Sequence, residues 1–179
     1  MGSEMCIRDR YHRVATKSIG FAKAVGNYAG TLLPYKEIVE DGYDEIIFLN
    51  ASDENIIDEA RSANIFILKG NVLKTPMLQG SILPGITRDS VIKVASKIFN
   101  LDVREEDVSL DELMNAEEVF FTGTAAVIAP VGGIVYKNNE TRLKISFEES
   151  MTRKIRERLI DIQYENIEDP FGWVIPLGR

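Results

Sequence analysis

A lysine set among small and apolar residues is the first place in this sequence where chemistry could be done. Lys23 lies in Ile19-Gly20-Phe21-Ala22-Lys23-Ala24-Val25-Gly26. Such a setting is expected to strip water from an ammonium and push it towards the neutral amine that attacks a carbonyl. An arbitrary lysine is solvent-exposed, so the case rests on these neighbours. Tyr28 follows five residues on and, taken alone, is an aromatic packing at the start of a helix. The second candidate is a carboxylate. Asp58 and Glu59 fall in a β-like run from Ile56 to Ala60, where successive side chains face opposite ways, so one of the two points inward. A buried carboxylate needs a cationic partner or it takes up a proton.

Two segments could cradle an anion. Leu83-Pro84-Gly85-Ile86-Thr87-Arg88 opens a helix, where unpaired backbone N–H groups and the helix dipole suit a phosphate. On that motif alone a capped helix after a Pro-Gly loop is the simpler reading. Thr122-Gly123-Thr124-Ala125-Ala126 follows a strand, and its small residues let N–H groups point at an anion; a Gly-Thr pair there is also an ordinary turn. Arg88 reads as a structural ion-pair residue. His12 is the only histidine and Cys6 the only cysteine, so neither a transition-metal site nor a Ser-His-Asp constellation is expected.

Taken in chain order, Lys23 with Tyr28, Glu59 with Asn64 five residues later, the Gly85-Ile86-Thr87 turn and the Gly123-Thr124-Ala125-Ala126 turn resemble the fold-type IV aminotransferases that use pyridoxal 5'-phosphate (PLP). Within that group they look most like the branched-chain amino-acid aminotransferases, over about residues 11 to 176. The resemblance implies a set of roles. Lys23 bonds covalently to PLP and shuttles a proton between substrate carbon and cofactor. Tyr28 hydrogen-bonds the cofactor's phenolic oxygen. Glu59, paired in the motif with Asn64, keeps the pyridine nitrogen protonated so that the ring accepts electrons. Gly85, Ile86 and Thr87, with Gly123 and Thr124, hold the phosphate, while Thr124, Ala125 and Ala126 meet the substrate carboxylate. Arg61 and Ser62 stand where many relatives have small residues, a departure that bears on pocket shape.

The same resemblance implies transfer of the amino group of leucine, isoleucine or valine to 2-oxoglutarate, by a homodimer or larger oligomer. The Thr-Ala-Ala form is closer to the branched-chain enzymes than to D-amino acid transaminases or aminodeoxychorismate lyases, which share the scaffold. A non-catalytic PLP-binding remnant is a further alternative. Members of the family carry a smaller domain ahead of this one, which supplies an arginine to the phosphate. Residues 1–10 match nothing in the family and read as a non-native tail. That leaves 11–179 as a PLP-binding C-terminal domain, expected to turn over weakly or not at all and to expose apolar surface.

The elements that must position these residues are legible in outline. Ile19 to Val25 reads as a short buried strand or a close backbone approach. A helix follows from Tyr28 to Glu40, preceded by Asn27, with Pro34 kinking it or delaying its first turn and Gly42 as its stop. Asp44 to Leu49 and Ile56 to Ala60 are strands. Ala63 to Lys69 and Val72 to Thr75 form a hairpin about Gly70-Asn71. Thr87 is the expected cap of a helix with Val91, Ile92, Ala95, Ile98 and Phe99 inward. Val103 to Glu105 is a short strand, and Ser109 with Glu112 is a capping box. Glu118 to Thr122 is a strand, Gly123 to Pro130 turns away, and Ile134 to Lys137 pairs with Leu143 to Phe147. A last helix runs from Glu148 to about Gln163, and Phe171, Trp173 and Val174 close the core. Hairpins among helices predict a mixed α/β fold with a curled, barrel-like sheet rather than a purely parallel one.

Composition bounds the rest. A chain of 179 residues, 45% hydrophobic and 27% charged, has the profile of one soluble globular domain. Its net charge of −7 comes without a basic patch, so nucleic acid is not an expected partner. Apolar runs such as Ile46 to Leu49 are far too short to span a bilayer, so no membrane association is expected. A single cysteine permits no disulfide within the chain, which is compatible with a cytoplasmic location.

Overall fold

The computed structural model describes residues 2–137, 139–143 and 146–175. Nine strands form one mixed sheet: β1 (Ser3–Ile7), β2 (Glu45–Leu49), β3 (Ile57–Ala60), β4 (Asn64–Lys69), β5 (Val72–Thr75), β6 (Asp102–Glu105), β7 (Glu118–Gly123), β8 (Val127–Tyr136) and β9 (Asn139–Arg142). Among the described residues five α-helices accompany them: α1 (Val25–Ala29), α2 (Leu32–Glu40), α3 (Ile86–Lys97), α4 (Leu110–Met114) and α5 (Met151–Gln163). The strand order is β3-β2-β1-β8-β7-β4-β5-β6, with β9 paired to β8. No helix among the described residues is long and apolar enough to cross a membrane.

Chain length forces the sheet to curl. β3 and β4 stand five places apart in the strand order, which in a flat sheet is about 24 Å. Only Arg61, Ser62 and Ala63 join them, a link that reaches at most about 14 Å. The sheet therefore rolls until the β3 edge comes beside β4, where Ala60 N–H donates to Ala63 O at 3.0 Å.

Rolling gives the central strands two buried faces, which is why they read as unbroken apolar runs. On β4, Ile65 and Ile67 point into the concave core with Ile47, Leu49, Val119 and Phe121, sealed by Leu113 of α4. Phe66 and Leu68 face the other way, onto Val91, Val94 and Ala95 of α3 and Ile155 and Leu159 of α5. On β2 the alternation is the same, and Ile46 and Phe48 pack against Ile38 of α2. The expected mixed α/β fold with a curled, barrel-like sheet is the fold observed.

Several local expectations are corrected. Residues 3–7 do not lie outside the fold: β1 sits mid-sheet, parallel to both β2 and β8, and Met5, Cys6 and Ile7 are buried. Ile19 to Ala24 is a run of turns and irregular backbone with no strand partner, and Val25 opens α1. The helix expected from Tyr28 is two helices, broken at Gly30-Thr31, and Pro34 falls in the first turn of the second, where its missing N–H costs nothing. Asn27 lies inside α1 rather than capping it, and Gly85, not Thr87, is the N-cap of α3. β8 begins at Val127 and runs through Pro130, and its hairpin partner starts at Asn139 rather than Leu143. Of the expected partner strand, Lys144 and Ile145 lie outside the described residues, and Phe147 opens a short 3-10 turn. The capping box at Ser109 and Glu112 forms in full.

Candidate active site

A cleft of about 260 Å³ opens at one end of the sheet, where polar residues take over from the core. On the face that stacks Phe66 on Phe120, with ring centroids 5.0 Å apart, the next cross-strand pair is Asn64 with Thr122. These two begin the cleft. Glu59 of β3, Leu83 to Thr87 before and in α3, Gly123 and Thr124 after β7, and Lys23 and Tyr28 complete most of its wall.

The Lys23 segment is held by its backbone. Phe21 N–H donates to Gly80 O at 3.1 Å, and a Cβ built on Gly20 would land on the Ser81 backbone, so only glycine allows this approach. The Asn27 side-chain amide donates to Ile19 O at 2.8 Å and to Ala22 O at 2.9 Å, closing the turn that precedes Lys23. The desolvated setting expected for this lysine is absent. Lys23 is exposed, and the apolar side chains that should have covered it face outward, with Phe21 56% and Val25 85% exposed. A run of turns has no sheet face on which to bury them.

Glu59 is buried and heavily bonded. Oε1 is paired with the guanidinium of Arg13 and accepts the Leu83 N–H at 3.2 Å. Oε2 accepts only the Asn64 amide, at 2.9 Å. A carboxylate has about four acceptor positions, so Oε2 keeps one. Burial pushes the Glu59 carboxyl up to about 7, against the opposing pull of Arg13 and the Leu83 N–H. The expectation that only one of Asp58 and Glu59 faces inward is corrected, because both are 3% exposed. Asp58 accepts from the Asn50 amide at 2.9 Å and the Ser81 hydroxyl at 3.2 Å. Burial raises its carboxyl as well, and the two hydrogen bonds oppose that rise. The loop at residues 80–83 reaches both carboxylates, the Ser81 hydroxyl donating to Asp58 and the Leu83 N–H to Glu59.

Two backbone turns meet the same cleft. No side chain caps α3 at Gly85, so the first-turn N–H groups of this twelve-residue helix open at the wall formed by Gly85, Ile86 and Thr87. Arg88, one step further, is buried and structural: it pairs with Glu105 at 2.9 Å and donates to Pro76 O at 2.9 Å. Between β7 and β8, Thr124 lines the cleft, whereas Ala125 and Ala126 are exposed at the tip of the turn and outside the wall. Val127 ends that turn at φ 56°, a left-handed conformation that strains a β-branched residue. An amine, a buried acid with a free acceptor position, and two sets of backbone donors suit a ligand with a carbonyl, a ring N–H and an anionic end.

Comparison with known proteins agrees with that chemistry. Residues 6–134 match the family model described as amino-transferase class IV. The chain belongs to the class IV aminotransferases. It is 38% identical to a probable branched-chain-amino-acid aminotransferase of Staphylococcus epidermidis, over 99% of this chain and 51% of the relative. It is 35% identical to a methionine aminotransferase of Arabidopsis thaliana, over 99% of this chain and 50% of the relative. Among solved structures, the branched-chain amino acid aminotransferase of Thermobaculum terrenum in its PLP form superposes with a TM-score of 0.82 at 28% identity, over 93% of this chain and 52% of that one. The chain thus spans about half the length of the curated relatives it matches.

In this class IV aminotransferase chain, two contributors to the cleft, Arg13 and the Thr122 hydroxyl, were given no role by the sequence, and a third, Arg61, was noted only as a departure that bears on pocket shape. Arg13, the cation that the buried acid required, lies in a stretch whose pattern assigns it nothing. Thr122 is 2% exposed and its hydroxyl has no hydrogen-bond partner among the described residues; counting by two along β7 from Phe120 would have placed it on the face of the cleft. Arg61 lines the cleft while its guanidinium stacks 3.9 Å from the Tyr35 ring centre and its Nε lies 3.6 Å from Glu45.

Proposed function

We propose that this chain is the cofactor-bearing part of a PLP-dependent branched-chain amino-acid aminotransferase, which moves the amino group of leucine, isoleucine or valine to 2-oxoglutarate. The observation that carries the reading is one cleft that gathers the Lys23 amine, the inward Glu59 carboxylate and the two donor-bearing turns. The residues fit the cofactor: the buried Thr122 hydroxyl lacks a partner, Oε2 of Glu59 has an acceptor position to spare, and the α3 N-terminus carries no side-chain cap. When bound, PLP supplies an aldehyde that captures amines and a ring that draws electrons from the substrate carbon.

This chain's residues then divide the work. The Lys23 Nζ would hold the cofactor covalently and would take and return the substrate's α-proton. Glu59 Oε2 would accept the ring N–H and stabilise its positive charge. Gly85, Ile86 and Thr87 face the phosphate together with Gly123 and Thr124. Tyr28 would donate to the phenolic oxygen, and the Thr124-Ala125-Ala126 turn would meet the substrate carboxylate through Thr124, the member that lines the cleft. A homodimer or larger assembly and a cytoplasmic location belong to the same proposal.

Borohydride reduction in the presence of PLP, followed by peptide mass mapping, is expected to place the added mass on Lys23, and Lys23→Ala is expected to abolish it. Label elsewhere, or none, overturns the reading. Assays pairing 2-oxoglutarate with leucine or methionine, run beside D-alanine and aminodeoxychorismate, assign the substrate. Methionine is included because of the similarity to the plant methionine aminotransferase. Leucine is expected to lead, and preference for D-alanine or aminodeoxychorismate refutes the substrate assignment.

A further inference from the structure

Arg13 is among the most buried charged residues described, and nothing in the proposed chemistry uses it. Its side chain is 4% exposed, and one nitrogen, Nη2, makes every contact. That nitrogen meets Glu59 Oε1 and the Ser81 carbonyl, with the Gly20 carbonyl at 3.4 Å. These partners come from separate parts of the site. Gly20 belongs to the turn that carries Lys23. Ser81 precedes the Gly85–Thr87 turn, and Glu59 is the inward acid. Asp58, equally buried, receives only neutral donors, so of these two neighbouring carboxylates the one facing the cleft is the one paired with a cation.

We propose that Arg13 is the positioning residue of this site: it favours the ionised form of Glu59 and aims that carboxylate at the cofactor's ring nitrogen, while anchoring to it the loops that bear Lys23 and the phosphate turn. The inference rests on the PLP reading above. Arg13 acts through Glu59 because it occupies Oε1, which leaves the unfilled acceptor position on Oε2. Other charged and titratable groups face the acid from each side. Asp58 on the same strand opposes its ionisation, and Lys23, Tyr28 and Arg61 stand around the cleft. Arg13 alone among these is in direct contact with the Glu59 carboxylate.

The test titrates PLP into the 179-residue chain and follows the absorbance of bound cofactor from pH 6 to 9. The proteins compared are wild type, Arg13→Lys, Arg13→Gln, Glu59→Gln and the double variant Arg13→Gln/Glu59→Gln. Arg13→Gln is expected to weaken PLP binding about tenfold and to shift the pH profile of the absorbance, since the acid loses the cation beside it. Arg13→Lys is expected to recover most of both, because one nitrogen makes all the contacts and an ammonium can take its place. In the Glu59→Gln background, Arg13→Gln is expected to cost about threefold rather than tenfold: what remains is the anchoring through Gly20 and Ser81, and what is gone is the part that acts through Glu59. Binding and pH profile unchanged in Arg13→Gln overturn the proposal, as does an equal further loss in the Glu59→Gln background. If Arg13→Gln does not fold, the double variant, which buries no lone charge, decides by the same comparison with Glu59→Gln. A wild type that neither binds PLP nor traps it on Lys23 fails the PLP reading itself and takes this inference with it; that blank is distinct from a loss confined to the variants.

Discussion

Replacing Glu59 by glutamine should abolish the loss of stability that the wild type suffers as pH rises through neutrality, while removing the acid its site needs. Glu59 has an unfolded value of 4.5 and is pushed up to about 7 by burial in the fold. Between those two values the folded chain still holds a proton that the unfolded chain has released, so every rise in pH favours unfolding. The contribution of Glu59 to stability is therefore fully present below about pH 4.5 and is lost as pH rises through 7. A gap of about 2.5 pKa units at 1.36 kcal/mol each amounts to about 3 kcal/mol. The cause is a contest inside the Arg13–Glu59 pair: withdrawing the carboxylate from water costs more than the guanidinium returns. Glutamine keeps the shape and does not titrate. Urea denaturation of both proteins from pH 4 to 8.5 isolates the effect, and the wild type is expected to lose about 3 kcal/mol relative to Glu59→Gln across that range. A difference that stays flat, or grows in favour of the wild type, would show that attraction outweighs desolvation and refute the reasoning. The expected result marks an acid retained at a cost in stability, as groups at functional sites often are.

Other substitutions separate binding from folding. Thr122→Val replaces a buried, unpartnered hydroxyl, so urea stability should hold or rise by about 1 kcal/mol, while PLP affinity falls several-fold; unchanged affinity would remove Thr122 from the site. A Cβ at Gly85 would land on Asn64 Oδ1, and that amide is tied to Glu59 and to Leu83 O. Gly85→Ala should therefore cost about 1–3 kcal/mol and weaken PLP binding, and a variant with wild-type melting and affinity contradicts this. Ser109→Ala dismantles the capping box of α4 and should cost about 1 kcal/mol in thermal or urea unfolding. Because α4 does not line the cleft, it should leave PLP affinity unaltered, and a loss there would show coupling the geometry does not contain.

Legibility followed the range of the interaction concerned. β2, the β4–β5 hairpin, the α4 capping box and the inward face of α5 could be read from the chain because each depends on neighbours a few residues away. The same locality misled at Lys23, where apolar neighbours implied shelter, and at Gly85-Ile86-Thr87, where a threonine implied a cap. Segment ends failed where pairing decides them: β8 runs through Pro130 because β7 on one side and β1 on the other hold it extended.

Residue types, alternation and turn pairs by themselves determined a mixed sheet with an inward acid, a lysine and two turns able to cradle an anion; that these share one site was implied by the resemblance of their order to the class IV aminotransferases. Only the rolled sheet decided that β1 lies at its centre, that Asp58 is buried beside Glu59, that Arg13 supplies the acid's counter-charge and that Lys23 stands exposed at the cleft. Those outcomes depend on which distant segments share a face. Burial and charge pairing are set by such long-range neighbours, and a linear pattern does not encode who they will be.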